Sequence, residues 1–416
     1  MIYLLRNAWA LLLGMLLLMV GNGVQGTLIG IRGSIEGFSP GVMSYLMSAY
    51  MVGMLVGSRV APILITQVGH VRVFAALASL ISASFLGFAL FVEPLAWFLL
   101  RLLVGFCFSG VYVASESWLN EAASNENRGK AMSVYMIVQT SGVLLAQVLI
   151  NFADPSSFIL FAVISVLVSV SFAPILLSVS RVPTVSTSER MSLKDLYRAS
   201  PLASVSMILI GGVFSLLFGM SAVYGSEKGL TVKEISILVG SIYFAGVFFQ
   251  YPVGFISDRI DRRRLIILLA LIGFFGVFTG FIFYNNFYVV VLAFFFAGGV
   301  TNPLYSVVIA YTNDYLERVD MASAAGGLVF MSGVGGVVAP VLAGQLMGRF
   351  GPESLLFVIC ITFITIVGYG LYRSTKRSIL DIETSTTHVA IMPQATTIAV
   401  EISQEAAIGE SLTSDD

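Results

Sequence analysis

Residues 101–130 read RLLVGFCFSGVYVASESWLNEAASNENRGK. At 100° per residue, Arg101, Gly105, Phe108, Ser109, Tyr112, Ser115 and Glu116 gather on one side of a helix, with Leu102, Leu103, Phe106 and Val113 opposite. Such a helix gives one face to lipid and the other to a polar groove, because a charge in hydrocarbon is costly unless it meets water or a partner. The groove is where function is expected. Asn120, Glu121 and then Arg128-Gly129 form a short polar connection to the next apolar segment, which reads as a gate or hinge.

The remainder of the chain has the same character. Its 416 residues are 57% apolar and 11% charged, with a mean hydropathy of +0.93, a balance no soluble domain can carry on its surface. Repeated apolar runs of about 20 residues, rising about 1.5 Å per residue, cross a hydrocarbon core of about 30 Å as helices rather than barrel strands. Twelve spans follow, near 8–31, 41–60, 71–91, 95–117, 131–152, 158–177, 201–224, 233–256, 265–283, 287–311, 322–347 and 354–372. The first is too long for a secretory signal and lacks a clear cleavage site, so it counts as a span. Net charge is −1 and the basic residues are scattered, which offers nothing to nucleic acid. Cys107 and Cys360 lie in apolar segments as small buried side chains.

With the amino terminus inside, 17 Lys and Arg fall on one side of the membrane against four (Arg32, Lys228, Lys233, Arg349) on the other. The positive-inside rule then places both termini in the cytoplasm and the protein in the cytoplasmic (inner) membrane. The organisation expected is an amino-terminal six-helix bundle over 1–177, a basic cytoplasmic linker over 178–200, a second six-helix bundle over 201–372, and a tail over 373–416. The tail is Thr-rich and acidic, with too little sustained apolar periodicity to fold alone, so it is expected to be mostly disordered.

The two halves resemble each other. A shift of 193 residues places Tyr112 on Tyr305, Asn120 on Asn313, Glu121 on Asp314 and Gly142 on Gly335 without a gap. Six-span repeats put a solute site between halves near mid-membrane. Glu116 falls opposite Ile309, so its carboxylate belongs to the first half alone.

The sharpest local motif is Gly254-Phe-Ile-Ser-Asp258-Arg259-Ile-Asp261-Arg262-Arg263-Arg264, at the end of the eighth span. It resembles the loop signature G-x-x-x-D-R-x-x-R-R of the major facilitator superfamily, and the twelve-span repeat fits that family over residues 1–375. The loop after the second span, from Gly57 to Arg72, departs from the pattern, with Ala61 where the family usually has Asp. The fifth span lacks the Gly-Pro pair associated with the family's drug/proton antiporters. Gly69-His70-x-Arg72, the string E-S-W-L-N from Glu116 to Asn120, and N-R-G-K from Asn127 to Lys130 resemble the little-characterised YcaD-like bacterial branch. The resemblance implies a cytoplasmic gate formed by Asp258, Arg259, Glu121 and Arg128, the last two matching the family's E-x6-R-G pair.

Arg101 reads either as an anion-attracting group in the cavity or as a structural ion holding carbonyls, and Glu116 either as a proton-coupling carboxylate or as a gate residue. The two stand about 22 Å apart along the helix and cannot pair directly. Further polar groups that share helix faces are Asn22 and Gln25, Tyr135 and Gln139, Tyr243 and Gln250, and Asn302 and Tyr305. Any one of them could serve interhelical hydrogen bonding; as a set they favour a cavity. An enzyme would need a catalytic constellation, and neither His70 nor His388 stands in one. No metal or cofactor is expected.

The sequence therefore predicts a secondary active transporter of a small polar or anionic organic solute, proton-coupled and working by alternating access. Arg101, Tyr112, Asn22, Gln25, Gln139, Gln250, Asn302 and Tyr305 are the expected solute contacts, with Glu116 carrying the proton. Its partners are the solute, membrane lipid and protons, and it acts as a monomer. A drug/proton efflux antiporter and a non-transporting sensor on the same fold are the alternatives.

Overall fold

The computed structural model describes residues 2–122, 128–177, 191–316, 318–376, 389–402 and 404. Among the described residues there is no strand, and twelve helices are long and apolar enough to cross a membrane. They are α1 (Ile2–Ile35), α2 (Pro40–Val68), α3 (His70–Leu90), α4 (Pro94–Ala122), α5 (Arg128–Leu149) and α6 (Ile159–Ser171, extended to Leu177 by a short turn), then α7 to α12. Of these, α7 spans Pro201–Glu227 with a π turn at Leu216–Met220. The others are α8 (Val232–Ser257), α9 (Arg262–Ile282), α10 (Phe287–Asn313), α11 (Arg318–Phe350) and α12 (Ser354–Ser374).

Local chemistry sets the ends. Ser39 caps α2 by accepting from the Val42 N–H, with Pro40 in the first turn where no N–H is needed. Thr231 and Glu234 form a reciprocal capping box at α8, and the Asp261 carboxylate caps α9 by accepting from the Arg264 N–H. The second span runs eight residues beyond the predicted end at 60. It carries Pro62 inside the helix and stops only at Gly69, whose φ of 87° suits glycine. Neighbouring helices tolerate such an internal proline, and the same holds for Pro252, Pro303 and Pro340.

Contacts divide the chain into two compact units that do not follow the sequence halves: Met1–Ser186 with Phe218–Gly240 and Pro340–Pro352, and Thr187–Leu217 with Ser241–Ala339 and Glu353–Asp416. In the first unit α1 packs on α5 and α6, α2 on α4, and α3 on α4 and α6. The end of α7 joins this unit by packing Ala222 on Gly30 of α1, and the end of α11 by packing Gly344 on Ser44 of α2. In the second unit α9 packs on α10 and α12, and α7 on α10 and α12. The short helix Leu193–Ala199, capped by Ser192, lies in this unit with Leu196 against Gly327 of α11.

The same pairings thus recur in the two units. Gly142 of α5 faces the backbone of α1 at Leu16 and Val20 and the Met19 side chain, and its counterpart Gly335 of α11 faces the Ile208 carbonyl of α7. Lipid tails are as apolar as Leu, so spans hold together by close packing, which small residues permit. Each unit also turns apolar side chains outward. On α8, Phe244, Phe248, Tyr251 and Phe255 are exposed in a stripe while Ala245, Val253 and Ser257 are buried.

The tail, expected to be mostly disordered, holds one longer described stretch, 389–402. It includes a helical turn from Thr397 to Ile402 and buries Ile391, Ala399, Val400 and Ile402. The sequence gives little sign of this because the segment finds its apolar partners on the bundle, not within itself.

A Cβ on Gly335 would overlap the Ile208 carbonyl, whereas nothing lies within 4 Å of one on Gly348. Gly335→Ala is expected to lower stability by about 1–3 kcal/mol, as overpacking does. Gly348→Ala should leave the thermal midpoint of the detergent-solubilised protein unchanged, and equal midpoints for both variants would contradict the close contact.

Candidate functional site

The polar face of α4 finds its partners within the first unit. Arg101 is 4% exposed. Its Nε donates to the Leu46 carbonyl at 3.4 Å, its Nη2 to the Met47 sulfur at 3.1 Å, and its guanidinium carbon stands 4.7 Å from the Tyr50 ring centroid. Leu46, Met47 and Tyr50 sit within one turn of α2, so a planar guanidinium can hydrogen-bond and stack at once. Among the described residues no carboxylate pairs with Arg101 at 4.0 Å or less. The arrangement has the carbonyl-holding geometry of one of the two sequence readings.

Below it on the same helix face, Tyr112 accepts from Asn22 Nδ2 at 3.2 Å and donates toward the Met19 sulfur at 3.6 Å. Asn22 thus ties α1 to α4. One turn further on, Ser115 donates to the Met15 sulfur at 3.1 Å, and Glu116 is 1% exposed. Tyr135 of α5 brings its hydroxyl near Ser115, Gln139 and the charge of Glu116, although none of them stands in direct hydrogen-bond geometry with it. Gln25 is buried with both polar atoms lacking a partner. A buried amide with no hydrogen bond carries the full desolvation cost of its donors and acceptor, and a solute or water could relieve it.

The second unit has its own polar face. Gln250 of α8 donates to the Ser306 hydroxyl of α10 at 3.0 Å. Asn302, one turn earlier on α10, is buried against Gly246 with its Oδ1 unpartnered. Tyr305 is fully buried, and α10 continues as a helix through Pro303. These are the groups the helical spacing picked out, joined by Ser306, which it did not.

Where α8 ends and α9 begins, the clamp uses a different arginine from the one the motif suggests. Arg259 turns back on its own helix, its guanidinium carbon 3.4 Å from the Phe255 ring centroid and its Nη1 donating to the Phe255 carbonyl. Arg262, buried like its neighbour Arg263, makes the ion pairs instead. It bonds Asp314 at the end of α10, meets Asp258 at 3.6 Å, and donates to the Ala310 carbonyl and the Ser257 hydroxyl. The reason is register: Asp261 begins α9, and the first residue after it points across to α10 while Arg259 still belongs to the turn. The side chains of Glu121 and Arg128 lie outside the described residues.

Sequence reasoning missed Tyr50, Met47 and Ser306. Tyr50 shares a face of α2 with Met47, Gly53 and Gly57, and the two glycines seat that face against the α4 backbone at Leu102 and Phe106. That pairing of helices was the signal needed, and periodicity within one helix does not contain it.

The chain is 24% identical over 356 residues to the uncharacterized MFS-type transporter YcaD of Escherichia coli O45:K1 (strain S88 / ExPEC), covering 85% of this chain and 92% of that one. The relative from Escherichia coli (strain SMS-3-5 / SECEC) matches to the same extent. Among solved structures, a mutant of the nucleoside transporter NupG superposes with a TM-score of 0.78 at 13% identity, over 88% of this chain and all of that one. A bacterial homolog of the human lysosomal transporter Spinster, inward-facing and unoccupied, superposes with a TM-score of 0.67 at 13% identity, over 98% and 97% of the two chains. At that identity the likeness is one of fold. The profile of the Major Facilitator Superfamily matches residues 11–240 and 202–393. The repeated helix pairings and the clamped loop are therefore those of a family member, and the chain belongs to the major facilitator superfamily.

Proposed function

We propose that the protein is a secondary active transporter of a small polar or anionic organic solute, coupled to protons and working by alternating access in the cytoplasmic membrane, with both termini on the cytoplasmic side. The observation that carries this reading is the burial of Glu116, at 1% exposure, on the helix face that also bears Arg101 and Tyr112. Ionisable groups at depth in a membrane protein are expensive, and their usual use is a solute or proton path.

In this reading Arg101 supplies positive potential from a fixed seat, its Nη1 donors open to an anionic or strongly polar group. Asn22, Tyr112, Gln25 and Gln139 in the first unit, and Gln250, Asn302 and Tyr305 in the second, offer neutral hydrogen bonds. Orphaned atoms on Gln25 and Asn302 favour this, because a bound solute would satisfy them. Glu116 holds or releases the proton beside Tyr135 and Gln139. The names of the fold neighbours support a carrier and leave the solute open. The Arg262 clamp, with Asp258 and Asp314, is the gate element of the second unit in place of Arg259.

The direct test follows internal pH in proteoliposomes while pools of organic anions, amino acids, sugars, nucleosides and cationic drugs are added. An anionic or polar pool should drive proton movement, and Glu116→Gln should reduce it at least tenfold while solute binding persists. Undiminished proton movement in that variant would assign Glu116 to a structural role.

Arg262→Ala removes a cation that two carboxylates share, one of them the 9% exposed Asp314. Breaking such a buried pair should cost about 3–5 kcal/mol. Arg259→Ala should stay within about 0.5 kcal/mol. Thermal unfolding of the two purified variants separates them, and a larger loss from Arg259→Ala would reverse the assignment.

A further inference from the structure

The helix Leu193–Ala199 passes directly into α7 at Pro201, so it lies where that span meets the membrane surface. Apolar anchors seat it in the second unit. Leu196 is fully buried against Gly327 of α11, its Cδ2 standing 2.6 Å from a Cβ position there, and Leu193 reaches the same glycine at 3.6 Å. Just before the helix, the Met191 N–H donates to the Ser323 carbonyl at 3.1 Å. Seven residues are too few for a helix to persist in water alone, so these contacts fix its orientation. Its remaining surface is mixed. Leu193 and Tyr197, one turn apart, are 42% and 48% exposed, and Lys194 and Arg198, also one turn apart, are exposed beside them. The last turns of α12 arrive at the same place, since α7 packs on α12. The Tyr369 hydroxyl comes near that of Tyr197 and near the Arg373 guanidinium. One turn on, Tyr372 is exposed, with Lys376 Nζ 5.9 Å from its ring centroid.

Four cations thus stand at one edge of the second unit: Lys194 and Arg198 on a helix that leads into one span, Arg373 and Lys376 where another span ends. Asp195 is the one carboxylate on these two segments. It accepts from the Ser192 hydroxyl and meets Arg198 at 3.7 Å, in a surface pair of the kind that adds little. Among the described residues the other three cations make no ion pair. Cations interleaved with exposed Leu and Tyr suit neither bulk water nor hydrocarbon; the headgroup layer satisfies both parts. We propose that this edge is a binding site for an anionic phospholipid, with the lipid phosphate among Arg198, Arg373 and Lys194 and an acyl chain along Leu193, Tyr197 and Tyr372. A soluble phosphate compound would meet the cations but leave that apolar surface uncovered. A zwitterionic lipid carries no net charge to complement them. The lipid would join the entry of α7 to the exit of α12. The inference stands apart from the carrier reading, because it needs no solute.

Native mass spectrometry of the purified full chain tests it, with phosphatidylglycerol and phosphatidylcholine of matched acyl chains supplied in neutral detergent. The unaltered chain should retain phosphatidylglycerol about tenfold more strongly. Arg198→Gln with Arg373→Gln removes one cation from each segment, neither of them buried. That variant should lose most of the preference while its thermal midpoint in lipid-free detergent stays unchanged. Arg72→Gln with Lys130→Gln removes equal charge from exposed positions of the first unit and should keep the preference. Equal retention of the two lipids by the unaltered chain would overturn the site. So would equal losses in the two double variants, which would reduce the effect to overall charge. A midpoint that falls in the Arg198 and Arg373 variant would make those cations structural instead. Displacement of the lipid by inorganic phosphate alone would assign the edge to a soluble anion and overturn the lipid.

Discussion

Close approach of one helix backbone to another at glycine is the contact on which the arrangement of spans depends. In hydrocarbon no hydrophobic force draws two apolar helices together, so what remains is packing and the few polar contacts that close packing allows. Gly335 lets α11 reach the Ile208 carbonyl of α7, and Gly142 lets α5 reach α1 in the same way. Gly53 and Gly105 do this for α2 and α4. Once those backbones touch, Arg101 comes within reach of the Leu46 carbonyl and the Tyr50 ring. The polar site follows from the apolar contact.

Polar groups within each unit are then divided between those that hold helices and those left incomplete. The Ser82 hydroxyl with Ser165 and Ser169, and Thr27 with Gln147, close their hydrogen bonds across helices. Gln25 and Asn302 do not. The distinction matters because a satisfied interhelical bond adds only a modest stabilisation, whereas an unsatisfied buried amide is a standing cost. Arg101 lies between the two classes, anchored through Nε and Nη2. An arginine held by a carbonyl and an aromatic face presents its remaining donors in a fixed direction, which a freely moving lysine could not do.

The tail adds a second use of the same polar chemistry. A main-chain N–H and C=O at Ile391 satisfy Ser306 as a neutral solute with adjacent donor and acceptor would. With Gln250 as the further donor, the Ser306 hydroxyl is filled by groups of this chain.

Much of this protein could be read from its residues. Hydrocarbon requires every backbone polar group to be satisfied within its own segment, so apolar length alone determined twelve helices and their approximate ends. The 193-residue repeat exposed the equivalence of Gly142 and Gly335, and helical spacing placed Arg101, Tyr112 and Glu116 on one face. What only tertiary structure decided were relations across helices. These include the seat of Arg101 on α2, the choice of Arg262 over Arg259, the meeting of Gln250 with Ser306, and the docking of Ile391. The physical reason is that periodicity reports which side of a helix a residue occupies, while partners are selected by which helix lies opposite and in what register. That information belongs to the packed backbones.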